Sequence, residues 1–134
     1  PFLIINPDTV WNSYYLKELK LMEKTFFENK KSKCSLLVVN KEKSFDQSFK
    51  GDFNLKNNLI NRKDRDNLNC IYTGLQIIKP EVFNGLSEEV FSINRIWDKL
   101  IQKNELHGME SNISFLHVST LDIYKRLLEK YFKH

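Results

Sequence analysis

Short, strongly apolar runs alternate along this chain with segments whose apolar residues recur every three to four positions. That alternation restricts the fold more than any other feature, because strands interleaved with helices predict an α/β sheet. Residues 2–6, closed by Pro7, read as a strand buried on both faces, as in parallel sheets. From Trp11 to Asn29 the period becomes helical, with Leu16, Leu19, Met22 and Phe26 on one stripe. Ser35–Val39 is a second strand run, and residues 41–50 form a polar loop. Residues 53–60 read as a hairpin turning at Lys56-Asn57-Asn58, with a charged connection over 62–67. Asn69–Lys79 is the longest strand candidate and Pro80 stops it. Ser92 caps a helix through Gln102 that carries Ile93, Ile96, Trp97 and Leu100 on one face. A short segment over 106–110 precedes a strand predicted at Ile113–Val118. Ser119 with Asp122 gives a capping-box start to a last helix bearing Ile123, Leu127, Leu128 and Tyr131.

At 134 residues the chain suits one domain or part of a larger one, and 41% apolar residues with ten Phe can build a core. No run approaches the roughly 18–20 apolar residues a membrane helix needs, so no membrane partner is expected. Pro1-Phe2-Leu3-Ile4-Ile5 has neither the basic lead nor the length of a signal peptide. The chain opens in mid-strand without Met, so it is expected to be the C-terminal part of something longer. Cys34 and Cys70 both lie inside apolar runs, which predicts buried free thiols and a reducing, cytoplasmic setting. The charge balance, 21 − 17 = +4, is mild. Its tightest basic cluster, Arg62-Lys63-Asp64-Arg65, is short and broken by an acid, so a nucleic-acid groove is not expected.

In open α/β sheets, ligands bind beyond the carboxyl ends of the strands. Two residues meet that rule. Asp8 directly succeeds the first strand, where a carboxylate could hold Mg²⁺ or simply cap a turn. His117 lies near the end of the predicted 113–118 strand, as a site residue or as a packed histidine. His107 and His134 belong to no constellation. No His or Cys pair has zinc spacing, and there is no Ser nucleophile elbow and no Gly-rich phosphate loop.

Five segments then take on a specific pattern. Ile4-Ile5-Asn6-Pro7-Asp8-Thr9-Val10-Trp11 resembles the Asn-Gly-Asp-x-x-Trp segment of sugar-1-phosphate nucleotidyltransferases. Gly51-Asp52-Phe53 comes second, then Tyr72-Thr73-Gly74-Leu75-Gln76-Ile77 with Pro80-Glu81-Val82-Phe83. Phe91-Ser92-Ile93-Asn94 with Trp97-Asp98 comes next in that family's order. Phe115-Leu116-His117-Val118-Ser119-Thr120-Leu121 resembles its Trp-x-Asp/His-Val-Gly-Thr-Pro segment. The resemblance spans almost the whole chain and is nearest the bacterial N-acetylmuramate-1-phosphate uridylyltransferase and mannose-1-phosphate guanylyltransferase branch.

The resemblance implies a partial three-layer, Rossmann-like nucleotide-diphospho-sugar transferase domain with a mixed sheet, residues 1–134 forming its C-terminal, sugar-binding and metal-side part. It implies that a sugar 1-phosphate oxygen attacks the α-phosphorus of a nucleoside triphosphate and pyrophosphate leaves. Mg²⁺ is the implied cofactor, with Asp8 as first ligand and His117 in the place of the second. Gly51 and Gly74 would admit the sugar, Thr73 would add a hydroxyl, and Lys63 falls where the family keeps a phosphate-side lysine. The chain departs from the pattern at Pro7, Phe115, Ser119 and Leu121. Imidazole is also a softer match to Mg²⁺ than carboxylate. The family's Gly-rich nucleotide loop is missing from this sequence, which implies that the chain alone does not turn over. The alternative is a non-catalytic module on the same fold that self-associates through an exposed sheet edge.

Overall fold

The computed structural model describes residues 1–85 and 92–132. Phe91 of the fourth resemblance segment, and His134, lie outside them. Strand β1 (Phe2–Ile5) leads to helix α1 (Tyr15–Glu28), then β2 (Cys34–Asn40) and a 3₁₀ turn at Lys41–Lys43. The hairpin β3 (Asn54–Lys56) and β4 (Leu59–Asn61) comes next, then β5 (Cys70–Ile78) and a second 3₁₀ turn at Pro80–Phe83. Helix α2 (Ile93–Gln102), β6 (Leu106–Ser111), α3 (Leu121–Leu127) and a π-helical turn at Leu128–Phe132 complete the described chain.

The strands form one mixed sheet in the order β1-β5-β2-β6-β4-β3. The β2–β6 pair is parallel and the other four pairs are antiparallel. Central β2 explains the layering, since six of its seven residues are buried. Cys34, Leu36 and Val38 face α2, packing with Ile96, Trp97 and Leu100. Leu37 faces α1, packing with Tyr15, Met22 and Phe26. A strand apolar on both faces has to be covered on both, so three α/β/α layers result, and the fold class is the expected one. Gln76 is buried on the α2 face, where it accepts from the Trp97 indole and the Cys34 thiol and donates to Tyr72. Both cysteines are free and buried.

Several boundaries differ from expectation. Strand β1 is not a doubly buried parallel strand; it is an antiparallel edge strand with Phe2, Leu3 and Ile5 exposed. An apolar run does not reveal which edge it will occupy. The stripe on α1 is Tyr15, Leu19, Met22 and Phe26, whereas Leu16 is 58% exposed. At about 100° per residue Tyr15 falls in the middle of the stripe set by Leu19, Met22 and Phe26, and Leu16 falls to one side of it. The predicted 113–118 strand is not a strand: β6 is Leu106–Ser111, and the later segment makes only single bridges. Thr120, not Ser119, caps α3, accepting from the Ile123 amide. On that helix Ile123 and Leu127 are buried, but Leu128 and Tyr131 are exposed. The hairpin turns on Asn57 and Asn58, both in the left-handed region that asparagine tolerates.

Strand β5 carries an irregularity beside the exit from β1. Its register against β2 slips by two residues between the Leu36–Gln76 and Val38–Tyr72 pairs. Gly74 sits in the slip at φ +100°, and a Cβ there would lie 2.8 Å from the Asn6 Cβ. Gly74→Ala is therefore expected to cost about 1–3 kcal/mol of stability. Leu37→Ala, which opens the core beneath α1, is expected to cost about 2–5 kcal/mol. Leu16→Ala is expected to fall within about 0.5 kcal/mol of the parent. Urea denaturation of the three variants measures the ordering.

Candidate active site

Strands β1, β2 and β6 run in one direction and β5 in the other, so the carboxyl ends of β1, β2 and β6 share one rim of the sheet. The chain leaving each strand is stitched there to its neighbours. Asn6 N–H donates to the Gly74 carbonyl at 2.8 Å, and the Thr9 hydroxyl to the Thr73 carbonyl at 2.7 Å. Thr9 then bridges His117, with Val10 N–H donating to Leu116 O and Val118 N–H to Asp8 O, both at 2.8 Å. On its other side the same segment bridges Ser44 through Phe115, whose amide donates to Lys43 O and whose carbonyl accepts from Phe45 N–H. Glu18 of α1 steadies the exit from β6, accepting from the Ser111 hydroxyl and the Asn112 amide. The 113–118 segment is thus extended because it is shared by two loops, not because it belongs to the sheet.

This stitching brings together Asp8 and His117, the two residues singled out from the sequence. Their side chains meet at 3.1 Å between His117 Nε2 and Asp8 Oδ2. The Asp8 side chain is half exposed, whereas that of His117 is only 20% exposed. Phe49 meets the imidazole edge-on at 5.3 Å, and Phe115 lies tilted against it at 5.6 Å. His117 Nδ1 is buried with no hydrogen-bond partner. The rim therefore presents one carboxylate toward solvent, with an aromatic-walled imidazole behind it.

Asp46, within the polar loop expected over 41–50, ties the site together. Its Oδ1 accepts from the amide and hydroxyl of Ser48, and its Oδ2 accepts from the Ser119 hydroxyl at 2.7 Å. The Ser48 hydroxyl, and next the Ser119 hydroxyl, hold its carboxyl below the ordinary aspartate value. Asp46 thereby fastens the loop carrying Phe49 to the segment carrying His117. Sequence reasoning does not single it out; its signal is the Asp46-Gln47-Ser48 spacing of an Asx turn.

The other expected site residues are more dispersed. Thr73 and Gly74 adjoin the 6–9 segment, but the Thr73 side chain is buried and its hydroxyl donates to Leu37 O. Gly51 lies against the Leu68 carbonyl, where a Cβ would come within 1.8 Å. Lys63 borders a hollow of about 330 Å³ with Arg62, Arg65, Asp98, Ile101 and Gln102, a lining that includes neither Asp8 nor His117. Arg62 pairs with Asp98 at 2.9 Å, bonds Asn94, and lies over the Phe53 ring, which makes it a brace between the hairpin and α2. A larger hollow, about 670 Å³, lies between the end of α1 and the start of β6, bordered by Phe26, Lys31, Ser35 and His107. Among the described residues no three His, Cys, Asp or Glu side chains group as a metal cluster. No described helix is long and apolar enough to cross a membrane.

No protein-family model matches the sequence. No curated protein matches it either. Among solved structures, the chain is similar to a protein from Bacillus anthracis named as a glucose-1-phosphate thymidylyltransferase, solved in complex with sucrose. The two share 17% identity and superpose with a TM-score of 0.62 over 92% of this chain. The match spans 51% of that protein, so this chain covers about half its length. At that identity the likeness establishes the fold: the six-stranded mixed sheet and its helices have the architecture of a nucleotidyltransferase neighbour.

The Asp46 clasp has a measurable pH signature. A carboxyl whose folded pKa is depressed stabilises the fold above its unfolded value and loses that contribution as pH falls through the folded one. The stability advantage of the parent over Asp46→Ala is expected to hold steady down to the ordinary value of 3.8 and to shrink below it. Denaturant titrations of both proteins across acidic pH measure this.

Proposed function

We propose that this chain is the sugar- and metal-side part of a sugar-1-phosphate nucleotidyltransferase, working in a bacterial cytoplasm. The observation that carries this reading is a half-exposed carboxylate, Asp8, at the strand-end rim of a nucleotidyltransferase-like sheet. In the proposed reaction a sugar 1-phosphate oxygen attacks the α-phosphorus of a nucleoside triphosphate and pyrophosphate departs. That chemistry asks a protein mainly for in-line positioning and charge neutralisation. A hard carboxylate oxygen open to solvent fits Mg²⁺, which commonly takes one or two carboxylates and completes its shell with substrate phosphates and water. Asp8 is the residue that would hold it, and the bound ion would offset the charge of the crowded phosphates. The stitched 6–10 and 115–119 segments keep that carboxylate in place, so little reorganisation accompanies binding.

Calorimetry of the chain with Mg²⁺ and a sugar 1-phosphate tests this reading. Binding is expected for the parent and expected to be lost in Asp8→Asn; equal binding by both would remove Asp8 from the site. In a longer protein that also carries the nucleotide loop, Asp8→Asn is expected to lower kcat about 10²–10³-fold. The chain alone is expected to release no pyrophosphate from a nucleoside triphosphate and a sugar 1-phosphate.

A second reading, self-association without catalysis, is favoured by one observation. Among the described residues β1 has a sheet neighbour on one side only, and Phe2, Leu3 and Ile5 are exposed along it. Leu3 also borders an apolar hollow with Leu19, Phe27 and Ile77. Exposed apolar edges recruit further strands. Light scattering is expected to show concentration-dependent association that Leu3→Lys abolishes; a monomer at every concentration would dismiss this reading.

A further inference from the structure

We infer that the hollow at the amino ends of β2 and β6 is a binding site for a small organic anion that joins a phosphate or carboxylate group to an apolar body. The hollow lies on the opposite rim of the sheet from Asp8, and the inference does not depend on the nucleotidyltransferase reading. At about 670 Å³ it falls within the roughly 300–1,000 Å³ of small-molecule pockets.

The floor follows from the register. Ser35 pairs with His107 in the parallel ladder, and residues two apart on a strand share a face. Ser35 and His107 therefore stand on the side where Leu37 and Met109 pack with α1. Ser35 is only 5% exposed, in a strand whose other buried residues are all apolar. Yet no hydrogen bond from its hydroxyl is seen among the described residues, and Ser35 borders the hollow. A hydroxyl drawn out of water without a partner is costly, and a polar group entering the hollow would satisfy it. Burial holds His107 below its ordinary pKa, so at neutral pH the ring offers a hydrogen bond and not a charge.

The charge comes from the mouth. Lys30 and Lys31 are exposed there, and neither forms an ion pair among the described residues. The turn after α1 sets them in place, with the Lys31 amide donating to Asn29 Oδ1 and the Lys33 amide to Glu105 O, both at 3.1 Å. Glu28 also borders the hollow, which leaves 2 − 1 = +1 from these three residues. Lysines just past a helix C-terminus also complement the helix dipole, and alone they would mark nothing. The hydroxyl beneath them is what points to a ligand. Leu21 and Met109 give that ligand an apolar wall, so an anion with an apolar body meets every part of the lining. On the far side the Gly108 amide donates to Asn58 O at 2.9 Å, which holds the hairpin turn over β6 and keeps the hollow formed.

Phenyl phosphate is the probe that tests this, titrated into the chain and followed by ¹H–¹⁵N amide spectra. Saturable shifts centred on residues 29–35 and 107–109 are expected at millimolar concentration. Ser35→Ala is expected to weaken binding about tenfold and to leave the urea midpoint unchanged. A lowered midpoint would mean that the hydroxyl already serves the fold, and would overturn the inference. Lys30→Met combined with Lys31→Met is expected to weaken binding about fivefold, whereas Lys125→Met on α3 is expected to change nothing. Benzoate, titrated in the same way, separates a carboxylate ligand from a phosphate one; if neither compound binds, the inference fails. It also fails if inorganic phosphate or benzyl alcohol binds as tightly as phenyl phosphate, since the anion and the apolar body would not be read together. Shifts that gather instead on β1 or around Lys63 overturn it as well.

Discussion

The approach of Asn6 onto Gly74 is the contact on which the rim depends. Strand β1 is registered against β5 from Phe2–Ile78 to Ile5–Leu75, and the next residue must pass over the slip in β5. Only a residue without Cβ, at φ +100°, lets the Asn6 side chain lie there while its amide reaches the Gly74 carbonyl. Moving that crossing would move Thr9, which bonds the next carbonyl along β5, and with it the carboxylate of Asp8. A glycine that the family pattern assigns to sugar approach thus has a backbone duty already visible in the structure.

From that crossing outward, the site is built by loops that hold one another. The 115–119 segment is bound on one side to Thr9 and on the other to Ser44, and Asp46 closes the arrangement through Ser119. Each bond is modest alone, about 0.5–1.5 kcal/mol net, but together they fix a ring and a carboxylate at 3.1 Å without any sheet ladder beneath them. The core supplies the rigid floor. Strand β2 buries one face on α1 and the other on α2, and Gln76 is accommodated in the second because the Trp97 indole, the Cys34 thiol and Tyr72 all meet it. Burial raises the Cys34 thiol well above its ordinary value, which keeps it an inert packing residue.

The fold and the two readings of function meet at β1. As the edge strand it carries exposed Phe2, Leu3 and Ile5, while the chain spans about half of the Bacillus anthracis protein it is similar to. The segment that leaves β1 toward the rim carries Asp8, the residue the catalytic reading needs. The exposed edge and the carboxylate on which the two readings rest therefore sit within a few residues of each other.

Much of the fold is legible in local pattern. The apolar runs at 34–40 and 70–78, the Ile96-Trp97-Leu100 stripe, the Ser92 cap and the Asn57-Asn58 turn each come from period, capping or left-handed tolerance. Asp8 and His117 can be nominated because strand-end carboxylates and histidines are few in this chain. What local pattern does not supply is partnership. It predicts a strand at 113–118, because alternation there looks the same whether the backbone pairs in a sheet or bridges two loops. It gives Asp46 no role beyond a polar loop, because the bond to Ser119 spans 73 residues. It makes β1 interior, because strand order depends on contacts between distant segments. The sequence by itself determined which residues are apolar, which can turn and which can bear charge, since those are properties of side chains and neighbours. Only the tertiary structure decided that an imidazole and a carboxylate from opposite ends of the chain would come within ion-pair distance, since long-range backbone bonds that no local period encodes close the gap between them.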